Sequence, residues 1–176
     1  MCGLASLIPH PFRGAEGRGS MTNGRDPAAA FDEFWELWVR LQNESGTPGT
    51  VVVVEGERDR RSVRRLGVKG PVVLVHRGRT ISETAQHLSA TARRVIVLTD
   101  WDVEGGHLAQ RLKEFLGSGR SGADFEYRRR IAHALHGELA HVEGLYGWAR
   151  RTAEKANRSL GQLLETAEAE ATRSTE

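Results

Sequence analysis

The sequence predicts an α/β fold, a parallel β-sheet flanked by helices, with a helix added ahead of it and more after it. Three short apolar runs, 50–54, 72–75 and 95–99, are built almost wholly from β-branched residues. Such runs lack the alternation of a half-exposed strand and read as strands buried on both faces. Helical patterns separate them, and strand–helix–strand alternation implies right-handed crossovers within one parallel sheet. A chain of 176 residues, 39% hydrophobic and 27% charged, is long enough and apolar enough for one ordinary core.

Residues 1–25 carry glycines and prolines without any periodic pattern and are expected to form a disordered tail. Met21 opens a more orderly stretch, so residues 1–20 are open to not being translated at all. Asp26-Pro27 supplies an N-cap followed by proline at the first helical position. The helix it starts is expected to reach about Asn43, with Phe31, Phe34, Trp35, Trp38 and Leu41 along one face. That stripe could cover the sheet or form a dimer face. After the 44–49 breaker come the strand 50–54, a helix over 58–66 stopped by Gly67, and the strand 72–75. A helix capped by Thr80 or Ser82 runs to about Thr91, the strand 95–99 follows, and a helix covers 104–116. A flexible loop spans 117–122, Asp124 caps a helix over 125–136, and residues 137–145 show no clear pattern. One long helix is expected over 146–168, weakened at Gly161, with 169–176 frayed. The working division is therefore one domain over 26–168 with its core at 50–116.

Chemistry concentrates where the third strand ends. Val95-Ile96-Val97-Leu98-Thr99 leads into Asp100-Trp101-Asp102-Val103-Glu104-Gly105-Gly106. Open α/β sheets place ligands at the carboxyl ends of their strands. Two carboxylates this close repel unless a cation neutralises them or one keeps its proton. Glu55 follows the first strand as Asp100 follows the third, so parallel neighbours would bring three carboxylates to one sheet edge. Blander roles compete with these. The Asp-x-Asp pair could cap the next helix, and Glu57 and Glu104 suit helix N-termini through the macrodipole. Asp59 could orient a ligand or pair with an arginine. Trp101 could be a lid, a packing residue or a stacking platform, and His107 a surface residue. His76, Arg77 and Arg79 follow the second strand at the same edge and are candidates for phosphate contact, as are Arg58 and Arg61 beside Glu55. Further arginines cluster at 93–94 and 128–130, although a charge run is usually a solvated face.

Val53-Val54-Glu55-Gly56-Glu57-Arg58-Asp59, followed by Val97 through Gly106, resembles the Toprim domain over roughly residues 50–116. Topoisomerases of types IA and II, bacterial primases, overcoming-lysogenisation-defect nucleases, recombination mediators and rRNA-maturation nucleases share that domain. The spacing and small format are most similar to archaeal single-domain Toprim proteins. The resemblance implies a Rossmann-like sheet and a Mg²⁺-dependent reaction at a nucleic-acid phosphodiester. It makes Glu55 a metal ligand or general acid/base and makes Asp100 and Asp102 the Mg²⁺ ligands. The chemistry agrees: Mg²⁺ is a hard cation that favours oxygen donors. A second ion could sit about 4 Å from the first, and Mn²⁺ is able to substitute.

Composition narrows the class. With only Tyr127 and Tyr146 the chain lacks the separate nucleophile-bearing domain of a topoisomerase, and its single cysteine, Cys2, rules out a primase-type cysteine-rich zinc module. One cysteine also suits a reducing cytoplasm. A formal charge of +2 with a sequence pI of about 9.0 permits RNA or DNA as partner without demanding it, and no apolar run suggests a membrane span. Two functional readings remain: a metal-dependent nuclease or nucleotidyl-transfer enzyme, and a nucleic-acid-binding or adaptor protein that keeps its metal without turnover. A phosphatase-like domain is the weaker third, because its acidic pair would lie on the first strand.

Overall fold

The computed structural model describes residues 26–75, 77–117 and 122–173. The expected tail at 1–25 and the candidate His76 lie outside the described residues. Four parallel strands, β1 (Thr50–Val54), β2 (Val72–Leu74), β3 (Arg94–Val97) and β4 (Gly122–Asp124), form one sheet in the order β2-β1-β3-β4. Seven α-helices surround them among the described residues: α1 (Pro27–Ser45), α2 (Glu57–Arg65), α3 (Ile81–Thr91), α4 (Val103–Leu116), α5 (Glu126–Leu135), α6 (Leu145–Lys155) and α7 (Leu160–Arg173).

Each face of the sheet has its own core because alternate strand residues point to opposite sides. Val52, Val54, Ile96 and Leu98 pack with the buried residues of α1, α2, α5 and α6. Val51, Val53, Val95 and Val97 pack with those of α3 and α4. This double cover explains why the strands carry no polar alternation. The aromatic stripe of α1 is spent inside the chain: Phe31, Phe34, Trp38 and Leu41 are fully buried, and Trp35 packs against the same core. The Trp38 indole donates to the Leu66 carbonyl at 2.7 Å, and Phe34 meets Trp148 edge-on at 5.1 Å, which ties α1 to α2 and α6.

Helix starts follow their caps. Asp26 accepts from the Ala28 amide, and Thr80 and Glu83 form a reciprocal capping box at α3. Two expectations need correction. Residues 118–121 of the expected loop lie outside the described residues, and Gly122–Asp124 form a fourth strand, whose three residues hold no β-branched side chain but pair in register with Arg94, Val95 and Ile96. The single helix expected over 146–168 is two. Asn157 takes a left-handed conformation (φ 56°), a backbone state that asparagine tolerates, and it ends α6. Arg158 then bonds Asp32 of α1, and α7 continues to Arg173, beyond the predicted end at 168.

Strand order decides where a ligand can sit. The chain leaves β1 through α2 toward one side and returns through α3 to the other, so the direction reverses between β1 and β3. Crevices of doubly wound sheets open at such a reversal, outside the carboxyl ends of the strands. Glu55 and Asp100 stand on its two sides. No helix among the described residues is long and apolar enough to cross a membrane.

Candidate functional site

At the end of β1 the chain turns on Gly56, whose amide donates to Asp59 Oδ2 at 2.8 Å. Burial pushes the Asp59 carboxyl above its ordinary pKa, while the Gly56 hydrogen bond works against that shift. Asp59 therefore fixes the turn that carries Glu55, which is nearer to the first of the two roles open to it, orienting a ligand, than to an arginine pair. Glu55 Oε1 accepts from the Asp100 amide at 2.9 Å, which joins the two strand ends directly.

After β3, Thr99 Oγ1 donates to the Gly105 carbonyl at 2.8 Å and Asp102 Oδ1 accepts from the Gly105 amide at 2.7 Å. These bonds fold the Asp100–Gly105 loop onto the first turn of α4. Gly105 is required there: a Cβ would lie 2.2 Å from the Asp100 carbonyl oxygen. Asp102 thus caps α4 with one oxygen and keeps the other for the site. Asp100 Oδ1 accepts from the Val142 amide at 2.8 Å, and Asp100 Oδ2 meets His141 Nδ1 at 2.9 Å. Asp102 Oδ2 lies 3.6 Å from the same nitrogen. Ligand atoms of Asp100, Asp102 and His141 all fall within 4.8 Å of one another, a grouping suited to a metal ion. The Asp100 hydrogen bond holds the His141 imidazole above its ordinary pKa, and the Asp100 and Asp102 charges add to it.

Arg128 of α5 supports the loop from behind. Its Nε donates to Thr99 Oγ1 at 2.9 Å and its Nη2 to the Asp100 carbonyl at 2.5 Å. Partial burial lowers the guanidinium pKa while the charges of Glu55, Asp100 and Asp102 raise it. Trp101 points away from the acids: its amide donates to the Ala140 carbonyl, its indole to the Arg128 carbonyl, and its ring packs against the core. It is a packing residue: its amide bond docks the 139–142 segment onto the loop, and its indole bond ties the loop to α5.

Glu55, Asp100, Arg58, Arg61, Asp59 and Glu143 line a cleft of about 380 Å³ at this edge. Arg77 and Arg79 are exposed in the turn after β2 and do not line it. His107 is exposed on α4. Of the other basic clusters, Arg94 is held between Glu44 and Asp124, and Arg129 pairs with Glu126. Sequence reasoning missed His141 and Arg128. Arg128 is one of three consecutive arginines, and only packing turns it inward. His141 lies in the stretch without a pattern, and no local signal links it to acids some 40 positions earlier.

The donor chemistry suits a hard divalent cation. Two carboxylates and an imidazole converge, a donor set able to hold a divalent metal ion. Residues 50–134 match the family model described as the Toprim domain. The chain is 32% identical over 127 residues to a UPF0292 protein of Methanosarcina acetivorans, covering 72% of this chain and 87% of that one. A UPF0292 protein of Archaeoglobus fulgidus is 34% identical over 113 residues, 64% of this chain and 86% of the relative. Among solved structures, a putative protein from Aquifex aeolicus superposes with a TM-score of 0.51 at 24% identity, over 61% of this chain and 94% of that one, a likeness in fold. A Toprim domain is typically a metal-binding module that acts on nucleic acids. The chain belongs to the UPF0292 family of small archaeal proteins, and its Toprim domain occupies residues 50–134.

Proposed function

We propose that this protein is a divalent-metal-dependent enzyme acting on nucleic-acid phosphodiesters, as a nuclease or nucleotidyl transferase. The observation that carries the reading is the meeting of Asp100, Asp102 and His141 at the β1/β3 reversal, with Glu55 bonded to the same loop. Asp100 and Asp102 would hold the ion, with His141 as third donor. Bound there, Mg²⁺ or Mn²⁺ supplies Lewis acidity toward a phosphoryl oxygen and a nucleophilic water at neutral pH. Glu55 is the acid/base. It stands beside Asp100 without belonging to the three-residue ligand group, so its carboxylate remains the group to exchange a proton with water or the leaving oxygen. Arg58 and Arg61 line the same cleft and orient the phosphate backbone.

The test is cleavage of mixed RNA and DNA substrates with Mg²⁺ or Mn²⁺. Glu55→Gln should lower turnover about 10²- to 10⁴-fold, the range for a removed general acid or base. Asp100→Asn should abolish it and weaken metal binding by calorimetry. Cleavage persisting in both variants would sink the proposed site. A wild type that never cleaves but binds nucleic acid in a salt-dependent way would favour the adaptor reading.

A further inference from the structure

A second and larger cleft, about 740 Å³, lies between α2 and α6. Five arginines line it: Arg58, Arg61 and Arg65 from α2, and Arg150 and Arg151 from α6. Spacings of three and four place the α2 arginines on one helix face. The neighbouring arginines of α2 serve structure, Arg60 pairing with Glu57 and Arg64 donating to the carbonyls of Val68 and Lys69. Arg61, Arg65 and Arg151 have no carboxylate within ion-pair distance among the described residues, and all three are exposed. Among the described residues the one acid lining the cleft is Glu143, 3.7 Å from Arg58. Like charges gathered on both walls of a concavity repel, and an anion is what relieves them.

We infer that this cleft binds a single strand of RNA or DNA and feeds it to the acidic site. Arg58, Arg61 and Glu143 line both clefts, so the basic channel opens directly onto Glu55 and Asp100. Tyr146 lies in the channel with the Arg65 guanidinium 3.6 Å from its ring centre. Single strands are held without sequence preference where aromatic side chains and guanidinium groups that can stack on bases lie among cations that track the backbone. The Tyr146 amide donates to Ser62 Oγ, which pins α6 against α2 and keeps the two walls in place. Since α6 lies beyond the Toprim match at 50–134, the channel is built partly by the C-terminal addition. The inference rests on the proposed action at phosphodiesters and adds the path of the strand.

Fluorescence anisotropy with a labelled oligo-uridylate and a labelled oligo-thymidylate, in EDTA, tests binding apart from metal chemistry. The triple variant Arg61→Ala, Arg65→Ala, Arg151→Ala should bind at least about 10-fold more weakly, and its log K against log salt slope should shrink by about 2, at about 0.7 per lost phosphate contact. Tyr146→Leu should cost about 5- to 150-fold while Tyr146→Phe keeps the ring and the affinity. Arg40→Ala, on the exposed side of α1, should change nothing. Unchanged binding in the triple variant overturns the channel, as does tighter binding of a blunt duplex or of poly-glutamate than of the single strands. The two proposals fail separately. Loss of binding in the triple variant, with a wild type that cleaves nothing, upholds the channel and rejects the enzyme. Cleavage abolished by Asp100→Asn, with full binding in the triple variant, does the reverse.

Discussion

The two glycines at the start of α4 should answer the same substitution with opposite signs. In a helix interior, alanine is favoured over glycine by about 1 kcal/mol. At Gly106 a Cβ would find only Arg128 Nη2, at 3.9 Å, an ordinary contact. Gly106→Ala should therefore stabilise the protein by about 0.4–1 kcal/mol through the unfolded chain. At Gly105 the Cβ would stand 2.2 Å from the Asp100 carbonyl oxygen, 2.7 Å from its carbon and 2.9 Å from its Cα. All three are backbone atoms, so relief requires moving the loop itself. Overpacking of this kind costs about 1–3 kcal/mol, and the short contact favours the upper end, leaving a net loss of about 1–2 kcal/mol after the helix gain. Thermal unfolding reads the difference. At about 2–4 °C per kcal/mol for a chain of this size, the two variants should melt on opposite sides of wild type. Gly105→Ala should also weaken divalent-ion binding, because the displaced carbonyl belongs to Asp100, whereas Gly106→Ala should leave it intact. Equal and same-signed shifts in melting temperature would refute the reasoning.

Arg128→Ala should lower divalent-ion affinity about 10- to 100-fold by calorimetry, the usual effect of losing a group that orients a ligand loop, because the Thr99 and Asp100 carbonyls lose their shared donor. An unchanged affinity would mean that Trp101 and Val142 hold the loop without it. For pH, the bonds from Thr80 hold the Glu83 carboxyl below its ordinary 4.5. A depressed folded pKa means that the stabilisation is complete above 4.5 and is lost as pH falls through the lower folded value. Glu83→Gln should thus show a smaller loss of stability in that acid window than wild type, measured by denaturant unfolding at successive pH values. Identical acid profiles would show that the capping box does not hold the charge.

Much of the fold was legible because strands buried on both faces leave a strong local mark. The runs 50–54, 72–75 and 95–99 each became a strand with ends shifted by two residues at most. Caps were legible for the same reason: Asp26, Thr80 and Asp102 bond amides two or three residues away, within reach of local chemistry. β4 was not, since Gly122-Ala123-Asp124 has no strand propensity and exists because β3 offers it a free edge. The break at Asn157 was also missed, being one left-handed residue inside a helical composition.

The sequence by itself determined an α/β sheet, its acids at the carboxyl ends of two strands, and the motif that marks a Toprim domain. Each of those depends on neighbours in the chain: period, cap, and the residue that follows a strand. Tertiary structure decided the company those acids keep. The order β2-β1-β3-β4 set Glu55 against the Asp100 amide, docking of the 139–142 segment brought His141 to both aspartates, and packing of α5 turned one arginine of three inward. It also laid α6 beside α2 to form the basic channel. These pairings span about 30 to 90 positions, and a local pattern carries no information at that range because strand order and helix docking alone choose the partners.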